Sequence, residues 1–284
     1  MPLSPFPDRI GPYLPEELVG RGGMAAVYRC RDASGEVVAV KWLHQPSAAL
    51  ASRFELEIRS LARLDHPGVV RYVGHGDHLG RPYLVMEYLE GEDLRLWAHR
   101  LRSLPPMERH KRVRALAIRI AQALAYVHTA GLVHRDVKPS NLRVIQDDAP
   151  VLTDFGVVKD LADRSETVAG IVIGTLHYAA PEQIRGDPVD ARTDLYGLGC
   201  TLYTVLVDRR PFEGSSRAQL MQAHLETPPT SPSVHEPTVP PDLDQLILEL
   251  MAKRPVDRPP DALDVVRRLR ATEPERGVPL AGRQ

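Results

Sequence analysis

His134-Arg135-Asp136-Val137-Lys138-Pro139-Ser140-Asn141, followed by Asp154-Phe155-Gly156, is the stretch on which the reading of this chain turns. Two carboxylates and an amide at these offsets suit phosphoryl transfer: Asp136 can handle a hydroxyl proton, while Asn141 and Asp154 hold magnesium on a triphosphate. Lys138 can neutralise charge on the moving phosphoryl group. Either short motif alone occurs by chance, but the two in this order, with Lys138 and Asn141 in register, make a specific signal.

Upstream, Val19-Gly20-Arg21-Gly22-Gly23-Met24-Ala25-Ala26-Val27-Tyr28 sits where a glycine-rich hairpin over nucleotide phosphates belongs, because glycines let backbone N–H groups approach an anion closely. Ala25 replaces the third glycine of the usual GxGxxG pattern and is expected to stiffen the loop tip. Gly23 fills a position that the pattern leaves open. Alone, this motif reads equally well as a plain β-turn. Val38-Ala39-Val40-Lys41 strengthens it, since a lysine at a strand end can hold α- and β-phosphates. The flexible lysine stem needs an acid to fix its direction. Glu57 is the expected partner, on one helix with inward-facing Leu61, and its offset of nine residues before His66 resembles that seen in protein kinases. Glu55 is the competitor, two residues earlier and so roughly opposite. Each polar residue alone could be a satisfied turn or cap; Lys41, Glu57, Asp136, Asn141 and Asp154 together argue against coincidence.

The bulk composition is that of an ordinary globular protein of one or two domains: 284 residues, 43% hydrophobic, 26% charged and a net charge of -1. No global basic field points to nucleic acid or acidic lipid. Cys30 and Cys200 lie far apart without CxxC spacing, which fits reduced, buried thiols in a cytosolic compartment. The first residues carry prolines and no basic region before an apolar run, so they do not read as a signal peptide. No stretch reads as a membrane span; residues 115–125 are interrupted by Arg119 and Gln122, the mark of an amphipathic helix.

Residues 13–88 read as short strands with one helix. Val37 to Val40 and Tyr83 to Met86 are β-rich, and Gly35 and the 74–80 segment supply hairpin turns. Residues 53–64 place Phe54, Ile58, Leu61 and Ala62 on one helical face. Residues 88–93 form a short connector. Beyond it, helices are expected over 94–102, 111–130, 193–207, 217–224, 243–251 and 262–270. The proline-rich 228–241 stretch is excluded from helix and central strand and read as an interhelical loop, ahead of a PxxP ligand.

With these residues placed, the chain resembles the eukaryotic-like (Hanks-type) protein kinases, especially their bacterial Ser/Thr branch, over residues 13–270. The resemblance implies an α+β bilobal fold. A small antiparallel sheet with one main helix would occupy 13–89 and a larger helical lobe 90–270, with an N-terminal extension at 1–12 and a flexible tail at 271–284. ATP with Mg2+, or Mn2+ in its place, would lie between the lobes. Val19, Gly20, Gly22 and Gly23 would cover the phosphates and Val27 and Ala39 would roof the adenine. Met86 would be the gatekeeper behind it, and Glu87 to Leu89 the hinge. Ala180-Pro181-Glu182 matches the segment closing the activation loop, with Glu182 pairing Arg258, and Asp194 matches the aspartate that braces the catalytic loop.

Lys138 goes with serine or threonine as acceptor in this family. Arg135 would bind a phosphorylated activation-loop residue, with Thr167 the expected autophosphorylation site and Ser165 second. Thr175 resembles the substrate-docking threonine that contacts Asp136 and Lys138. The plain alternative is that all three are polar residues of a surface loop. Arg143 departs from the family, standing where relatives place an apolar residue under the adenine. Its stem can cover a ring face and its guanidinium can stack, worth about 0.5–2 kcal/mol. Arg143→Leu is expected to leave ATP affinity, read by calorimetry, equal or better.

The leading expectation is a cytoplasmic Ser/Thr protein kinase acting on protein substrates; the resemblance leaves open a back-to-back homodimer through the small lobe, which bacterial relatives often form. A pseudokinase serving as a nucleotide-binding or scaffold module is the alternative, motivated by Ala25 and Arg143 and opposed by retention of the five polar residues. A small-molecule phosphotransferase of this fold would lack the Ala-Pro-Glu segment.

Overall fold

β-Branched residues, aromatics and turn residues build the first half of the chain into an antiparallel sheet. The computed structural model describes residues 6–44, 47–155, 159–160 and 176–271. Strands β1 (Leu14–Arg21), β2 (Ala25–Arg31), β3 (Val37–Leu43), β4 (Tyr72–His78) and β5 (Arg81–Glu87) are ordered β1-β2-β3-β5-β4. β3 is central and buried almost throughout, as its Val-Val-Ala-Val run demands. The turn from β2 to β3 is held by Asp32 Oδ1, which accepts from the N–H groups of Ser34 and Glu36, and Gly35 supplies φ 90. The 74–80 segment is mostly strand β4, and its turn narrows to Leu79 and Gly80, both at positive φ.

Helix α1 (Ala48–Leu61) begins earlier than its apolar spacing indicates, because the Ser47 hydroxyl caps it through Leu50 N at 3.3 Å. It buries Phe54, Glu57, Ile58 and Leu61. Ala62, expected on that face, is the C-cap and is exposed. On the other face of the sheet, Ile10, Tyr28, Val38, Val40, Trp42, Tyr83 and Val85 form a separate apolar cluster. Ile10 is fully buried there, so part of the N-terminal segment completes the small lobe.

The second half is mostly helical: α2 (Leu94–Leu101), α3 (Pro106–Thr129), α4 (Pro181–Arg185), α5 (Ala191–Val207), α6 (Arg217–Glu226), α7 (Pro232–His235), α8 (Pro241–Leu250) and α9 (Ala262–Ala271). Two helix starts, expected at 111 and 243, and the loop reading of 228–241 need correction. Pro106 and Pro241 open α3 and α8 at the first helical position, where the missing N–H costs nothing. Pro232 likewise opens the one-turn helix α7 inside the stretch read as loop. Helix α5 is the buried axis of the lobe, packed against α3 and α8.

Short strands carry the chain beneath the sheet: β6 (Glu92–Asp93), β7 (Leu132–Val133), β8 (Leu142–Ile145), β9 (Ala149–Leu152) and β10 (Lys159–Asp160). β8 and β9 form a hairpin that β6 joins at the β8 edge. Its turn is anchored by the Trp97 indole, which donates to Asp148 at 2.7 Å. The hairpin is tied to the small-lobe side, since Val70 N donates to Leu152 O and Leu152 N to Gly68 O, both at 2.9 Å. One apolar cluster runs from Ala39, Phe54 and Met86 through Leu142 and Phe155 to Leu195 and Ile247. Both free cysteines are buried, and burial pushes each thiol up to about 12. No helix among the described residues is long and apolar enough to cross a membrane.

Candidate active site

The hairpin of β8 and β9 brings the chain's key polar residues together. Leu142 pairs with Leu152, so Asn141, just before β8, and Asp154, just after β9, end side by side, with Thr153 N donating to Asn141 O at 2.9 Å. Above them, β3 delivers Lys41 from the sheet. The Lys41 ammonium meets Glu57 Oε1 and Asp154 Oδ1, each at 2.5 Å. Of the two candidate acids on α1, Glu57 is the one at Lys41, and Glu55 lies on the exposed side paired with Arg59.

Burial alone would favour neutral Lys41, but the Asp154 and Glu57 carboxylates reverse this and hold the ammonium above its ordinary value. The Lys41 ammonium holds Asp154 below the usual carboxylate value against the opposing effect of burial. Burial dominates at Glu57 and raises it despite Lys41. Asp154 is the open member, its side chain 48% exposed even with Oδ1 on the lysine, and its backbone sits at φ 61.

Asp136 lies on the loop between β7 and the 3-10 turn Pro139–Asn141. Its Oδ2 accepts from Lys138 Nζ at 2.6 Å and from Asn141 Nδ2 at 2.8 Å, and Asn141 Nδ2 also reaches the Asp136 carbonyl at 2.9 Å. The other oxygen, Oδ1, is buried with no hydrogen-bond partner among the described residues. A hydroxyl arriving there would find an acceptor already held in direction by two donors.

The loop is fixed from below. Asp194, at the start of α5, accepts from His134 N at 2.9 Å, Arg135 N at 2.6 Å and His128 Nε2 at 2.8 Å. Burial pushes its carboxyl up, and the hydrogen bond and charge of His128 outweigh it, so the group sits below its ordinary value. Arg135 takes φ 66, a left-handed conformation that this clamp sustains. Glu182 and Arg258, 76 residues apart, form a bidentate pair at 2.7 and 2.8 Å. His128 and Gln183 were not anticipated. Gln183 Nε2 donates to the Arg135 carbonyl at 2.9 Å while its Oε1 accepts from Ala180 N. The only advance sign was that Gln183 stands three residues into the turn that Pro181 opens.

The residues expected around the nucleotide fall as follows, with two differences from the sequence reading. Val27, Ala39, Met86 and Leu89 belong to the apolar cluster that spans both lobes, and Glu87 ends β5. Val19 and Gly20 lie in the last three residues of β1, and the tip is Gly22 to Met24, closed by Gly22 N on Ala25 O at 2.8 Å. Ala25 is not at the tip: it opens β2 opposite Leu43 and is 4% exposed, so its methyl group packs in the core and does not stiffen the loop over the phosphates. Arg143 is half-buried on β8 and donates to the carbonyl of Gly91, so its charge is partnered at the linker. Gly91 itself has no room for a side chain, since a Cβ would collide with the Val144 carbonyl. Gly156, Ser165, Thr167 and Thr175 lie outside the described residues.

Residues 13–267 match the protein kinase domain family. The chain is 40% identical to "Probable serine/threonine-protein kinase SCO3848" of Streptomyces coelicolor over 84% of this chain and 36% of that protein. It is 38% identical to "Serine/threonine-protein kinase PknB" of Mycolicibacterium smegmatis, and equally to that of Mycobacterium tuberculosis, over 85% of this chain and 40% of each. The chain thus spans about two fifths of the length of the curated relatives it matches. The family implies ATP and a divalent metal, and the residues fit them. Asn141 Nδ2 is committed to Asp136, and its Oδ1, which accepts a long 3.4 Å bond from the Ser140 hydroxyl, keeps a lone pair for a metal beside the half-open Asp154 carboxylate. Two protein oxygens completed by phosphates and water suit a hard divalent cation. With the match running from residue 13 to residue 267 and a lysine, two acids and an amide from distant elements meeting in one cleft, this chain belongs to the protein kinase domain family.

Proposed function

We propose that the chain is an ATP- and Mg2+-dependent serine/threonine protein kinase, with Mn2+ able to serve in place of Mg2+. The observation that carries this is the convergence of Lys41, Glu57 and Asp154 with Asp136, Lys138 and Asn141 at the ends of one hairpin. Retention of all six with their partners favours turnover over a nucleotide-binding scaffold. The serine/threonine kinase names of the relatives support the acceptor class.

In this reading Lys41, aimed by Glu57, holds the α- and β-phosphates, and Asn141 and Asp154 hold the metal. When bound, the metal neutralises charge on the phosphate oxygens. The acceptor hydroxyl binds at Asp136 Oδ1, its oxygen forms a bond to the γ-phosphorus, and the bond to the β–γ bridging oxygen breaks to release ADP. Its proton passes to the Asp136 carboxylate. Lys138 neutralises the transferring group. Val19, Gly20, Gly22 and Gly23 cover the phosphates, while Val27, Ala39, Met86, Glu87, Leu89 and Arg143 enclose the base. Arg135 receives a phosphate on Thr167, or on Ser165, and Thr175 docks substrate. A cytoplasmic setting and a dimer through the small lobe complete the proposal.

Radiolabelled-ATP assays of the wild type against Asp136→Asn and Lys41→Met, with magnesium or manganese and a generic basic acceptor, test this. Incorporation well above both variants is expected. Incorporation no greater than theirs sinks the reading, and mapping the phosphorylated residues tests Thr167.

A further inference from the structure

On the side of the large lobe formed by the C-terminal ends of α2 and α5, the start of α3 and the segment after α7, four chain segments enclose a polar groove of about 440 Å3. Arg102, Arg109 and Arg209 line it with His235, against Asp208 and Glu236. Both acids are already engaged. Asp208 pairs with Arg102 at 3.2 Å, and Glu236 pairs with Arg109 at 2.9 Å while accepting from the Thr238 hydroxyl at 2.6 Å. Arg209 is exposed and has no acidic partner among the described residues. Arg109 is held in place, its side chain only 12% exposed and paired with Glu236.

Three guanidinium groups from separate segments line one concavity, two of them paired with acids and Arg209 without one, so the lining keeps N–H donors that a tetrahedral oxyanion can accept from. We propose that this groove is an anion site, distinct from the catalytic cleft, that takes a phosphate monoester group, Arg209 supplying the donors beside the paired Arg102 and Arg109 guanidinium groups. The volume, many times the roughly 30 Å3 share of one water, leaves room for whatever carries the phosphate. A phosphorylated serine or threonine of a protein and free phosphate present the same chemistry, so the test separates them.

Calorimetric titration of the full chain at low chloride uses three probes: a phosphothreonine peptide, its unphosphorylated twin and inorganic phosphate. Arg209→Glu is the main variant, since an exposed side chain is replaced without disturbing the fold, and Arg209→Lys is the conservative control. The expected result is saturable binding of the phosphopeptide and not of its twin, weakened about tenfold or more in Arg209→Glu and largely kept in Arg209→Lys. Binding of inorganic phosphate alone, with the same dependence on Arg209, supports the site with free phosphate as its source. No saturable binding of either phosphate probe, or equal binding to wild type and Arg209→Glu, overturns the proposal.

Discussion

Replacing Glu182 by glutamine keeps the shape of a buried side chain and removes its charge. The carboxylate accepts two bonds from Arg258, at 2.7 and 2.8 Å, and one from the Thr193 hydroxyl at 2.8 Å. Both partners are buried, with side chains 0% and 4% exposed, and the Arg258 guanidinium also lies over the Tyr196 ring and donates to the Ala252 and Arg192 carbonyls. Those backbone bonds hold the guanidinium in place, so it cannot swing to solvent when its counterion is lost. The glutamine amide then points N–H groups at a cation in a dry site. Breaking one side of such a pair costs about 3–5 kcal/mol, out of a total stability of about 5–15 kcal/mol.

Urea unfolding followed by far-ultraviolet circular dichroism reads this directly. At a slope of about 3 kcal/mol per molar urea, the midpoint of Glu182→Gln should fall by about 1–1.7 M. The pH dependence adds a second check. Burial pushes the Glu182 carboxyl up, and the hydrogen bonds and charge of Arg258 outweigh it, so its folded value lies below the ordinary 4.5. A depressed carboxyl stabilises fully above its unfolded value and loses that contribution as pH falls through the folded one. The gap between wild type and variant should therefore be constant from about pH 8 to 5 and close below about pH 4.5. A gap under about 0.5 kcal/mol at pH 7, the range of an ordinary surface change, would refute the reasoning.

Asp194→Asn places an amide N–H against the His134 or Arg135 N–H and loosens the catalytic loop; kcat should fall about 100-fold with little change in KM for ATP, and unchanged kcat in steady-state kinetics counts against the clamp. Gly91→Ala forces a methyl group onto the Val144 carbonyl and should destabilise by about 1–3 kcal/mol in thermal unfolding, with a neutral result showing that the linker can shift. Burial, with Lys253 and His177 adding, brings the His224 imidazole down to about 3 from 6.5, so the unfolded chain takes up the proton first. Stability should decline as pH drops from 6.5 toward 3, and His224→Gln should remove part of that decline; equal slopes between pH 7.5 and 5.5 would exclude the contribution.

Helix positions in the large lobe could be read within a few residues because a buried face repeats every three or four positions. The ends slipped where a single cap or proline decides, as at Pro106 and Pro241 there and at Ser47 in the small lobe. Ala25 illustrates another limit. Its offset within the glycine motif is a property of the chain, but whether that offset falls at a loop tip or inside a strand depends on its pairing with Leu43.

Residue type and spacing alone carried the chemistry. Asp136, Lys138 and Asn141 lie within one turn of chain, and the backbone conserves such short offsets whatever the rest of the protein does. Partners drawn from far along the chain had to come from packing. The cross-lobe meeting of Lys41 with Asp154, the seating of His128 on Asp194, and Gln183 on the Arg135 carbonyl span 113, 66 and 48 residues. The Arg143 guanidinium is the sharpest case. The family resemblance made it a charge under a purine, and the linker's passage over β8 supplies it with the Gly91 carbonyl. A long, flexible side chain takes its direction from whichever acceptor the fold sets within reach, and that acceptor lies 52 residues away.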